Sequence, residues 1–214
     1  MHDPGLICER LDPLGYRRAP WKNGGGVTVD IAAGFREGAR AGDWDGLVWR
    51  FGRTRIERPG PFSDLAGFDR SLSVIAGKGL VLKPAEAPPI NVREPFRPVC
   101  FPGEWRIESE LESGSVGVLN LMTDRRLAHG EVRFLRDRQE MLLEAEIVIV
   151  YAPSGAAGFA LGGETMALGD DEALRINGRK PVPIRHERGK LAIACVTLIL
   201  PGLSDGSQSH KRQS

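Results

Sequence analysis

Apolar and polar residues alternate with a period of two through much of the chain, and long helical periodicity is scarce. In "GVTVDIAAG", Thr28 and Asp30 fall on one face of a strand and Val27, Val29 and Ile31 on the other. In "GLVWRFGRTRIE", Trp49, Phe51 and Arg53 alternate with Arg50, Gly52 and Thr54. In "DRSLSVIAG", Arg70, Leu72 and Val74 stand opposite Ser71, Ser73 and Ile75, and "GLVLK" is predicted as the hairpin partner of that strand across Gly77-Lys78-Gly79. Further strands are predicted from Val116 to Met122 and from Glu146 to Tyr151, and within "EVRFLRDR", "GGETMALGDDEALRI" and "GKLAIACVTLIL". The segment Arg138 to Ala145 reads as strand or turn. The prolines of "EPFRPVCFPGEW" suit sheet edges and loops, because proline has no N–H to give to a ladder.

About a dozen short strands at a spacing of roughly 8–12 residues predict a sandwich or barrel rather than βαβ units. The 214 residues allow one large domain or two fused small ones. A faint internal echo favours two: "RSLSVIAGKGLVL" and "EIVIVYAPSGAAGFALGGETMALGDDEALRI" each run strand, small-residue turn, strand. The pattern L-G-D before an apolar strand is common in jelly-roll barrels of the cupin type. The polar end, residues 201–214, lacks core-forming residues and is expected to be a disordered tail.

A net charge of +1 gives no bulk electrostatic case for nucleic acid. No apolar run approaches the roughly 18 residues of a membrane span. "MHDPGLICERL" has no apolar core of a secretory signal. Three scattered cysteines, Cys8, Cys100 and Cys195, make neither a disulfide framework nor a zinc motif. Cys195, inside "LAIACVTLIL", reads as a small buried hydrophobe. A reducing, cytoplasmic setting fits this usage.

The densest chemistry lies in "WKNGGGVTVDI". A phosphate loop needs Lys and Ser/Thr after its last glycine and then a helix; here Lys22 precedes the glycines and a strand follows. A dinucleotide fingerprint needs a strand before the glycines, and "YRRAP" makes a poor one. The glycines therefore read as a bend that delivers Trp21, Lys22 and Asn23 to a site. The four histidines are dispersed, so no metal centre and no cofactor is expected; His129 and His186 read as turn or surface residues. No G-x-S-x-G is present, and Ser63 reads as a cap on a turn through Asp64 and Leu65. Arg50, Arg70, Asn120 and Thr28 sit on or beside strands. Pointed into a barrel, they need partners, since an unpaired buried polar group costs about 1–3 kcal/mol. A planar guanidinium suits a carboxylate, to which it donates two parallel hydrogen bonds.

Five motifs in order carry a resemblance to the HutD/Ves family: W-K-N-G-G-G-x-T (Trp21, Lys22, Asn23, Gly24, Gly25, Gly26, Thr28), W-R (Trp49, Arg50), G-P-F-S (Gly60, Pro61, Phe62, Ser63), G-x-D-R (Gly67, Asp69, Arg70) and N-x-M (Asn120, Met122). The similarity runs from about Trp21 to Arg126 and more weakly to about Leu200. Three positions depart from the family's pattern. Val118 stands where an Asp is frequent, Asp30 where Glu is frequent, and "MTDRR" alters the usual arginine placement. The resemblance implies an all-β, cupin-like double-stranded β-helix (jelly roll) with two barrel halves, a bicupin. One compact unit, 1–200, would divide near 1–115 and 116–200. It further implies a metal-free protein linked to histidine utilisation, which binds a pathway metabolite such as formiminoglutamate and limits the pathway rather than catalysing a step.

The expectation that follows is a barrel mouth that binds a small carboxylate. Lys22 and one of Arg50 or Arg70 anchor it; Asn23, Thr28, Ser63 and Asn120 orient it; Trp21 and Phe62 wall it, with Asp69 as an acidic partner. A metal-independent isomerase or lyase is the alternative and requires His129 or Lys22 to converge on the site as base. A third reading is an interaction module without a ligand, with "LAIACVTLIL" in a dimer; a homodimer is compatible with all three.

Overall fold

The structure, a computed structural model, describes residues 6–20, 26–40, 44–178 and 180–199. Among them the chain forms nineteen strands and two single 3₁₀ turns, Pro13–Gly15 and Trp44–Gly46. The strands of the first part are β1 (Ile7–Leu11), β2 (Arg17–Pro20), β3 (Gly26–Phe35), β4 (Leu47–Ile56), β5 (Gly60–Pro61), β6 (Phe68–Ala76), β7 (Leu80–Pro84), β8 (Ile90–Val92), β9 (Val99–Pro102) and β10 (Ile107–Leu111). Then come β11 (Val116–Asp124), β12 (Ala128–Leu135), β13 (Glu140–Leu143), β14 (Ile147–Tyr151), β15 (Ala157–Leu161), β16 (Glu164–Leu168), β17 (Ala173–Asn177), β18 (Val182–Arg188) and β19 (Leu191–Leu198). No described helix is long and apolar enough to cross a membrane.

The strands make four antiparallel sheets, of order β5-β10-β7-β8, β2-β3-β4-β11-β6-β9, β1-β17-β14-β19-β12 and β13-β18-β15-β16. Three apolar clusters fix how they stack. Leu72, Val74 and Val118 of the six-stranded sheet close on Leu80, Leu82 and Ile107 of the first four-stranded sheet. On its other face Trp49, Phe51, Leu119 and Leu121 meet Ile149, Tyr151, Ala192 and Ala194 of the five-stranded sheet. Val148, Val150 and Ile193 then turn to Phe159 and Ile184 of the last sheet. The two large sheets are therefore covered on both faces. This is why β14, "IVIVY", is buried at every position and shows no polar alternation.

Pairing departs from the sequence expectations in three places. β6 and β7 are not a hairpin: β6 pairs with β11 and β9, β7 with β10 and β8, and the glycine turn carries the chain from one sheet to the other. Gly77 and Gly79 both have positive φ (89° and 101°), and a Cβ at Gly77 would lie 2.6 Å from the Ser115 carbonyl oxygen. "YRRAP" supplies a real strand, β2, which pairs with β3 at the sheet edge, where proline is tolerated. The chain does not change halves at 115/116: β11 lies inside the six-stranded sheet, and β1 belongs to the five-stranded one. β19 lies between β14 and β12 with Leu191–Val196 buried in the packing between sheets and Thr197 and Leu198 exposed. Residues 201–214 lie outside the described residues.

A polar cluster crosses the contact between the large sheets. Asp171, at φ 62°, accepts two hydrogen bonds from Arg53 (2.7 and 2.5 Å) and one from the Tyr151 hydroxyl (2.6 Å), while Tyr16 donates to its carbonyl (2.8 Å). Burial, and then Asp171, push the Tyr151 phenol well above its ordinary range. His186, read from the sequence as a turn or surface residue, is buried in β18; its Nε2 lies 2.8 Å from the Gly189 carbonyl, and Nδ1 accepts from the Arg138 N–H at 3.4 Å.

Candidate functional site

Thr28, Asp30, Arg50, Arg70 and Asn120 share the face of the six-stranded sheet that looks toward the first four-stranded sheet. Register sets them in three neighbouring rows. The first runs Thr28–Thr54–Val118–Val74, the second Asp30–Gly52–Asn120–Leu72, and the third Ala33–Arg50–Met122–Arg70–Phe101. Period-two alternation puts each set on the same side as Leu72 and Val74 of the apolar core. Arg50 and Arg70 are thus two strands apart, about 10 Å between Cα atoms at ordinary strand spacing.

The two arginines are in opposite electrostatic states. Arg50 is buried and donates from Nε to Asp30 Oδ1 at 2.5 Å, with Nη2 on the same oxygen. Arg17, directly opposite Asp30 on β2, donates to Oδ2 from Nε and Nη2 at 3.0 and 2.7 Å. Asp30 therefore has both oxygens filled. The Arg50 guanidinium also lies over the Trp44 ring, 5.4 Å from its centroid, and Trp44 stands edge-on to Phe68 at 6.2 Å. Arg17, Asp30, Arg50 and Trp44 line a cavity of about 220 Å³ together with Ala33, Phe35 and Leu47.

Arg70 has no carboxylate partner among the described residues. It is 8% exposed, and its Nε is buried without an acceptor. Its guanidinium lies over Phe62 (5.0 Å) and Phe101 (5.1 Å). Burial lowers its pKa to about 10, since loss of water disfavours the charged form. Asn120, in the next row, leaves its Oδ1 buried and unpaired. Thr28 and Thr54 share a hydrogen bond of 3.1 Å. Gly52 between Asp30 and Asn120 follows from the bulge in β3: a Cβ there would lie 2.6 Å from the Val29 carbonyl oxygen.

The structure brings Thr28, Arg50, Phe62, Arg70 and Asn120 to one face. It does not bring Asp69 or Ser63. Asp69 turns to the opposite side of β6 and pairs at the surface with Arg125 (3.1 Å), which also holds Glu104. Ser63 is exposed in the segment after β5 and makes no side-chain hydrogen bond among the described residues, so it caps no turn. Trp21, Lys22 and Asn23 lie outside the described residues. His129 is exposed on β12, in the five-stranded sheet. Asp30, Arg17, Trp44 and Phe101 complete the site and were not singled out from the sequence. The alternation that places Thr28 inward also marks Asp30, whereas Phe101 meets Arg70 only through the β6–β9 ladder. Val118 packs in the apolar core, so its row is closed by hydrocarbon.

A family model described as HutD matches residues 15–193. A relative from Pseudomonas putida, described as an uncharacterized 21.2 kDa protein in the hutC 3′ region, is 30% identical over 164 residues, 76% of this chain and 83% of its own. HutD from Pseudomonas fluorescens, solved in a formate condition, superposes with a TM-score of 0.74 at 25% identity, over 90% of this chain and 100% of that one. A conserved protein of unknown function from Pseudomonas aeruginosa gives 0.76 at 25% identity, over 90% and 98%. At 9% identity, Ylba from E. coli shares the fold alone, with a TM-score of 0.60 over 92% and 95%. The fold is the cupin-like jelly roll.

Proposed function

The chain belongs to the HutD family, and from that premise we propose that it binds a small carboxylate-containing metabolite on the inner face of the six-stranded sheet, without a metal, as a cytoplasmic regulator or sensor of histidine catabolism. Arg70 carries this reading. A buried guanidinium without a counter-charge costs several kcal/mol, and Arg50 on the same face shows the alternative the fold had available, a neighbouring Asp. A carboxylate bound at Arg70 supplies the missing charge through two parallel hydrogen bonds. Asn120 and Thr28 orient the rest of the ligand, Phe62 walls it, and Lys22 and Asn23 join from the segment before β3. Arg50 is a positioning residue, held by Asp30 and holding Trp44.

Calorimetric titration with formiminoglutamate, glutamate, urocanate and formate tests the proposal, formate being the acid named with the Pseudomonas fluorescens relative. At least one is expected to bind, with affinity reduced roughly a hundredfold or more in Arg70→Gln, the loss of a desolvated charge pair. Absence of heat from all four, or binding that Arg70→Gln leaves intact, rejects it.

A further inference from the structure

Resting on the reading of Arg70 as a carboxylate anchor, we infer that Phe62 and Phe101 decide which anion the site accepts: a flat head group with two oxygens, and not a tetrahedral one such as a sulfonate or phosphonate. Phe101 thereby becomes a specificity-determining residue of the site.

The argument begins with the donors. Arg70 Nε is buried away from any acceptor, so the edge left for an anion is the one formed by the two Nη nitrogens. The N–H bonds of a guanidinium lie in its plane. A carboxylate bridging that edge keeps both oxygens in the same plane. A sulfonate or phosphonate that makes the same two bonds must put its third oxygen outside it.

Cζ of Arg70 stands over both rings, 5.0 Å from the Phe62 centroid and 5.1 Å from that of Phe101. Both are fixed from outside the site. Phe101 is the direct cross-strand neighbour of Arg70 on β9, and the Phe62 N–H is bonded to the Ile107 carbonyl of β10 at 2.8 Å. One wall comes from each sheet. The ring faces carry the negative part of the aromatic quadrupole, which favours the cation and repels an oxygen anion pressed against them. A third oxygen therefore meets both a steric and an electrostatic penalty.

The test compares propionate with ethanesulfonate, which carry the same ethyl group and the same charge, by NMR titration of the full-length protein. Propionate is expected to bind roughly tenfold or more tightly, a difference of about 1.4 kcal/mol. Phe62→Leu and Phe101→Leu keep apolar bulk but remove the rings; each is expected to narrow the preference to about threefold or less. Equal affinity of the wild type for both anions overturns the inference and leaves the carboxylate reading standing, as does full selectivity in both leucine variants. Failure of both anions to bind the wild type overturns the inference, and propionate binding that Arg70→Gln leaves intact removes the carboxylate reading itself and this inference with it.

Discussion

Arg50 and Arg70 flank Met122 in one cross-strand row, yet Arg50 is neutralised by Asp30 while Arg70 faces two phenyl rings and no acid among the described residues. The same side chain on the same sheet face thus serves two ends. One is tied to a carboxylate of its own sheet, and the other has none among the described residues.

Substitution by methionine, similar in length and uncharged, separates these roles. Arg70→Met is expected to leave the ligand-free protein as stable as wild type, or more stable by about 1–2 kcal/mol, because an uncompensated buried charge disappears. Arg50→Met is expected to cost about 3 kcal/mol, because Asp30 stays buried with only the half-exposed Arg17. Urea denaturation of the two variants gives the comparison, and the opposite ranking would contradict the assignment.

Alkaline pH probes the contact between the large sheets. The folded-state pKa of Tyr151 is raised, first by burial and then by Asp171. The unfolded chain releases this proton near pH 10, the ordinary phenol value, while the folded chain keeps it. Its contribution is therefore fully present below about pH 10 and is lost as pH rises above that. Tyr151→Phe is expected to flatten the decline in melting temperature between roughly pH 9.5 and 11. At neutral pH it is expected to cost about 1–2 kcal/mol, since Asp171 loses a donor.

Acid pH probes the turn after β11. Asp124 is buried and bonded to Arg126 (3.0 Å between Oδ2 and Nη2) and to Arg36 (3.3 Å). Hydrogen bonding from Arg126 is the main cause that holds its carboxyl below the usual range. The unfolded chain thus takes up a proton at higher pH than the folded one. The stability supplied by Asp124 is complete above about pH 4 and disappears as pH falls through the lower folded value. Asp124→Asn should remove that part of the acid dependence of the urea midpoint.

The thiols give a chemical check on burial. Cys8 and Cys100 are exposed, and Cys195 is buried with its thiol pushed up to about 12 by burial. A disulfide reagent such as DTNB at pH 8 should titrate two thiols in the native protein and the third only in denaturant. Rapid native reaction of all three would contradict the packing of β19.

Much of the architecture was legible. Alternation gave β3, β4, β6 and β11, because side-chain direction in a strand is a local property of the backbone. It also placed Arg50, Arg70 and Asn120 on faces that proved to be inward. Pairing was less legible. The glycine turn after Ala76 reads like a hairpin, but its strands enter different sheets, since a turn of this kind fixes a change of direction and leaves the choice of ladder to distant partners. Asp69 shows the same limit. It neighbours Arg70 in sequence, and for that reason it lies on the other side of the strand.

The order of residues alone determined an all-β chain and the five motifs that mark its family. Only the tertiary structure decided which cations are paired with an acid and which, among the described residues, are not. Charge cancellation acts between side chains brought together by strand pairing, as with Arg50 and Asp30, twenty residues apart, and Arg53 and Asp171, 118 apart. Those distances are set by register and sheet stacking, which no local pattern encodes.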